Sequence, residues 1–124
     1  MLKDALYTIQ KIAAENNTIE VGVVLNAAHA IFKGHFPSQP VLPGACMLQM
    51  VKEIMEIFFK KELQLTKADD MRFSAVVDPD KNKELKFSIL YNIGENQSIN
   101  INTKIIRSDN VVCCKMKASF KEKN

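Results

Sequence analysis

The residues able to do chemistry gather in one stretch of this chain, GHFPSQPVLPG from Gly34 to Gly44, and in two polar residues just beyond it, Gln49 and Glu53. His35 carries an imidazole whose unperturbed pKa of about 6.5 suits proton transfer near neutral pH. Pro37, Pro40 and Pro43 each fix φ and bias the preceding residue toward extended backbone, so the histidine rides on a stiff support. Pro43-Gly44 is a natural helix start, and amides at a helix start bind a developing negative oxygen without reorganising. A base beside such amides points to chemistry on a carbonyl. Gln49 and Glu53 stand four residues apart, on one helical face with Cβ atoms roughly 6 Å from each other. Together with Glu56 and Lys60 they also form a stripe that suits plain solvation.

The elements that must hold these groups follow from hydrophobic period. Two strands precede the motif, about Tyr7 to Ala14 and Ile19 to Leu25, joined by a turn at Glu15-Asn16-Asn17. From Gly44 to about Leu63 the period is helical, with Met47, Met50, Val51, Ile54, Met55 and Phe58 on a broad apolar face. Four period-two runs follow: Met71 to Val77, Leu85 to Tyr91, Ile99 to Ile105, and Val112 to Phe120. Turn-like connectors separate them at Asp78-Pro79-Asp80-Lys81-Asn82, Gly94-Glu95-Asn96 and Ser108-Asp109-Asn110. This order predicts an α+β domain in which an antiparallel sheet curls around one long helix. Its open edges invite pairing with a second copy.

Composition bounds the function classes. At 124 residues the chain is expected to form a single domain, and 17 basic against 14 acidic residues leave no nucleic-acid stripe. Cys46 reads as a small buried hydrophobe, and the neighbours Cys113 and Cys114 are expected on opposite faces of a strand. No disulfide framework or metal spacing emerges. With no signal-peptide pattern and no long uncharged apolar run, the expectation is a cytoplasmic protein with no membrane segment. His29, six residues before His35, reads as a structural polar group.

The run FKGHFPSQPVLPG resembles the signature of the hotdog-fold 3-hydroxyacyl-(acyl carrier protein) dehydratases, roughly GHFPxxPxxPG, with close coverage from about Ile31 to Glu53. The resemblance implies a hotdog fold over residues 1–124, a curved antiparallel sheet wrapped around one long central helix. It implies a homodimer or dimer of dimers with sites at the subunit interface, and an acyl substrate carried on the phosphopantetheine arm of acyl carrier protein. No cofactor or metal is implied. His35 aligns with the catalytic histidine, and Gly44 with the glycine whose N–H binds the thioester oxygen. Pro43 and Phe36 fall within the substrate-binding motif. The family carries Glu or Asp fourteen positions after the histidine and commonly Gln one turn later, whereas here the order is Gln49, then Glu53. Glu53 serves as the acid if it reaches the pocket from the next turn, kept protonated by burial near Met50 and Ile54. The implied reaction is dehydration to a trans-2-enoyl thioester, in fatty acid or related polyene synthesis. The alternatives are a hotdog thioesterase, with Glu53 activating a water that Gln49 positions, or a binding protein without turnover. Lys33, Lys60 and Lys61 are candidate contacts for an acidic carrier protein.

Overall fold

Period-two apolar residues give the central strands one buried face, and the single long helix lies against it. The computed structural model describes residues 1–33 and 40–124. The strands are β1 (Tyr7–Glu15), β2 (Thr18–Leu25), β3 (Leu63–Phe73), β4 (Glu84–Ile93), β5 (Ile99–Arg107) and β6 (Val112–Glu122), with helix α1 (Gly44–Phe59) between β2 and β3. They form one sheet in the order β1-β2-β4-β5-β6-β3, and every pair is antiparallel. Ile19, Val21 and Val23 of β2, Phe87 and Ile89 of β4, Ile105 of β5, and Met116 and Phe120 of β6 are buried. From α1 the same core takes Met47, Met50, Val51, Ile54 and Met55. At the far end of the helix Phe58, Phe59 and Tyr91 pack ring to ring, with centroids 5.0–5.8 Å apart. This architecture is the hotdog fold expected from the motif. No helix among the described residues is long and apolar enough to cross a membrane.

Turn chemistry closes the hairpins. Asn16 and Asn17 both take positive φ, 52° and 61°, as a two-residue turn whose twist matches its strands requires. Asn96 and Asn110 supply the same left-handed conformation in the next two hairpins.

The expected helix end and third strand both shift. α1 stops at Phe59 because Lys60 turns left-handed (φ 57°, ψ 45°), and Glu56 Oε2 accepts the Leu63 N–H at 2.9 Å, bending the chain into a strand at once. β3 then covers Leu63–Phe73, and Ala75 and Val77 lie outside it. The alternation of β3 is hidden because it is an edge strand, largely exposed on both faces, with irregular pairing at Leu65/Lys67 and Ala68/Asp70. The cysteine pair also departs from simple alternation. In the β5–β6 register Ile105 faces Cys114 and Ile106 faces Val112, so Cys113 is the extra residue of a bulge and both thiols are buried.

Candidate active site

α1 positions the chemistry. Pro43, with φ −65° and ψ 147°, is the N-cap residue, and its carbonyl accepts the N–H groups of Cys46 at 3.0 Å and Met47 at 3.2 Å. The amides of Gly44 and Ala45 precede the first residue that can reach an intrahelical acceptor. The approach is held by Leu42, buried and donating its N–H to the Val77 carbonyl at 2.9 Å. His35 and Phe36 lie outside the described residues. His29 is a capping group: its Nδ1 accepts the Ile31 N–H at 3.0 Å at the start of a short 3-10 turn, Ala30–Phe32.

Gln49 and Glu53 meet directly. Gln49 Nε2 donates to Glu53 Oε2 at 2.8 Å. The carboxylate also accepts the backbone N–H of Leu2 at 2.8 Å on Oε2, and on Oε1 the N–H of Lys3 at 2.8 Å and the Tyr7 hydroxyl at 3.0 Å. Glu53 is 0% exposed, so it does not belong to a solvated stripe. Burial pushes its pKa up, as the sequence suggested. The hydrogen bonds from Leu2, Gln49, Lys3 and Tyr7 outweigh that and hold the carboxyl below the usual glutamate range. The same contact, with burial as its larger cause, pushes the Tyr7 hydroxyl well above its ordinary value. Four donors to one carboxylate describe an ionised group that orients its neighbours. Because the carboxylate is acceptor-only, it fixes the Gln49 amide with nitrogen toward Glu53 and leaves the amide oxygen on the other side.

Gln49 also lines a cleft of about 370 Å³ between α1 and β3, with Lys52, Leu63, Leu65, Phe120 and Lys123 among its walls. A larger groove of about 670 Å³ runs over β1, β2 and β4 to the end of β5. No residue of α1 lines it, so it is not where the helix-borne groups converge. Lys60 and Lys61 stand at the C-terminal end of α1, roughly 24 Å from Gly44 at 1.5 Å per residue. Lys61 there faces Glu122 at 3.7 Å. The basic side chains beside Gln49 are instead Lys52 and Lys123. Cys46 is half-buried, not fully buried as expected; burial raises its thiol and raises the Cys114 thiol to about 11, which disfavours the thiolate at both.

Sequence reasoning missed Tyr7 and the Leu2 and Lys3 amides, because neither a strand-leading tyrosine nor a backbone N–H marks itself as a partner of a residue some fifty positions away. It also missed Phe73, which read as an ordinary strand residue and lies against Gly44.

Comparison with known proteins agrees with the fold. A family model described as ApeI-like, ApeI dehydratase, matches residues 11–117. An uncharacterized thioester dehydrase of Halalkalibacterium halodurans is 26% identical over 104 residues, 77% of this chain and 65% of the relative. A 3-hydroxyacyl-[acyl-carrier-protein] dehydratase FabZ of Buchnera aphidicola is 31% identical over 101 residues, 74% of this chain and 65% of that protein. The chain thus spans somewhat under two thirds of the length of these relatives. Among solved structures, the dehydratase heterocomplex ApeI:P of Xenorhabdus doucetiae superposes with a TM-score of 0.77 at 16% identity, covering 91% of this chain and 96% of that one. A hypothetical thioesterase with coenzyme A from Streptococcus pneumoniae reaches 0.67 at 10% identity, covering 95% and 86%. At such identities the likeness is one of fold.

Proposed function

Since the chain belongs to the ApeI-like dehydratase family, we propose that it removes water from 3-hydroxyacyl thioesters borne by acyl carrier protein, in fatty acid or related polyene synthesis. The observation that supports this most is that α1 carries Gly44 at its first position and the hydrogen-bonded Gln49–Glu53 pair further along the same helix. His35 takes the proton from carbon 2, and the Gly44 N–H stabilises the enolate-like oxygen that forms. Pro43 and Phe36 flank these groups in the motif. The carbon 3–oxygen bond then breaks. The hydroxyl leaves as water with the proton returned from His35, and the double bond forms between carbons 2 and 3.

In this reading Glu53 is a positioning residue. Held ionised by four donors, it has no proton to give, and it acts by fixing the amide of Gln49, whose oxygen accepts a hydrogen bond from the substrate hydroxyl. Lys52 and Lys123, at the cleft, suit an acidic carrier protein. Two copies in edge-to-edge contact complete the assembly.

The test is incubation with a 3-hydroxyacyl thioester and, separately, with a saturated acyl thioester. Loss of water from the first is expected, and His35→Ala lowers its rate by roughly 10²–10⁴-fold. Full activity in His35→Ala overturns the proposal, and so does free thiol released from the second thioester without water loss from the first.

A further inference from the structure

We infer that Phe73 is a specificity-determining residue that decides which acyl thioesters reach the Gly44 amide; this rests on the dehydratase reading above. A Cβ built on Gly44 would stand 2.6 Å from Phe73 Cζ, 2.9 Å from Cε1 and 3.2 Å from Cε2. The ring therefore enters tip first and fills the space that a side chain at this position would take. No glycine in the described residues has positive φ, so Gly44 is required for room and not for backbone conformation. Nitrogen and Cβ of one residue lie about 2.5 Å apart, which puts the ring tip within about 5 Å of the Gly44 amide nitrogen.

The backbone beneath this ring is fixed while the ring itself is open on one side. Phe73 is the last residue of edge strand β3 and pairs with Cys114. Immediately after it, the Ser74 N–H donates to the Cys113 carbonyl at 3.0 Å and Ser74 Oγ donates to the Val112 carbonyl at 2.9 Å. The bulge at Cys113 thus anchors the end of β3. Phe73 itself, in contrast, is 50% exposed in the single chain. A thioester whose oxygen binds the Gly44 amide must pass the ring and pack against it. An unbranched acyl chain presents a thin edge to such an aromatic. A methyl group on the carbon next to the carbonyl competes for the volume that the ring occupies.

Wild type, Phe73→Ala and Phe73→Leu are compared for kcat and KM on 3-hydroxyacyl thioesters with and without a methyl branch at carbon 2. The expected result is that Phe73→Ala lowers the preference for the unbranched thioester, as a ratio of kcat/KM values, by about tenfold or more, with Phe73→Leu in between. A preference unchanged within about twofold in Phe73→Ala overturns the inference. Thermal unfolding checks that each variant is folded, and Phe73→Leu carries the test if Phe73→Ala is not. A wild-type chain that turns over neither thioester overturns the dehydratase reading instead. In that event, binding of saturated acyl thioesters with and without the branch gives the same comparison. There an unchanged ratio overturns the inference, and a relaxed ratio in Phe73→Ala supports it.

Discussion

Glu53 shows how one carboxyl is assigned its role by its donors. Its ionisation is favoured by two backbone N–H groups, an amide and a phenol, all within 3.0 Å. Since the folded-state pKa lies below the ordinary value, its contribution to stability is complete above about pH 4.3 and is lost as pH falls from there through the folded value. Glu53→Gln places an NH₂ group among donors and is expected to cost on the order of 3 kcal/mol at neutral pH. Chemical denaturation of wild type and Glu53→Gln across pH 3–7 should show the gap closing on acidification, and a gap that widens would contradict the ionised assignment.

At the scale of elements, α1 is defined by its two ends. Its start needs Gly44 for the Phe73 ring, and its stop falls at Lys60, a non-glycine residue in the left-handed region. Lys60→Gly removes that steric cost and is expected to stabilise the chain by roughly 0.5–1 kcal/mol, read as a higher denaturant midpoint with unchanged slope. A lower midpoint would count against it. The helix and strands β2, β4, β5 and β6 were legible in the sequence because one face of each is buried and the period survives, and β1, an exposed edge, was legible because the turn at Asn16-Asn17 bounds it. β3 was legible only in part, since an edge strand with two irregularities has no buried face to impose a pattern. The motif marked Gly44, and four-residue spacing marked the Gln49–Glu53 pair. What the pair binds depends on the amides of Leu2 and Lys3, groups that every residue type carries and no composition reveals.

For the whole molecule, the open edge at β3 is the feature of consequence. The cleft that holds Gln49 opens between α1 and this edge, and Leu65, at 37% exposure, lines it. Under the proposed assembly a second copy packs along β3, which predicts that the wild-type chain sediments as a dimer and that Leu65→Glu sediments as a monomer in sedimentation equilibrium. A wild-type chain that sediments as a monomer at micromolar concentration would remove β3 as an assembly edge. Burial of Leu63 and Phe120 beneath the same edge means that the monomer itself should remain folded.

The Gln49–Glu53 contact also constrains how such a chain can diverge. Gln49→Glu alone sets a second carboxylate where the amide nitrogen now lies 2.8 Å from Glu53, and Glu53→Gln alone removes the acceptor that gathers Leu2, Lys3 and Tyr7. Neither single substitution keeps the cluster satisfied. The two positions are therefore coupled: Glu at 49 and Gln at 53 are compatible with the Leu2, Lys3 and Tyr7 donors only when changed together, and a double-mutant cycle should show a large interaction energy between them.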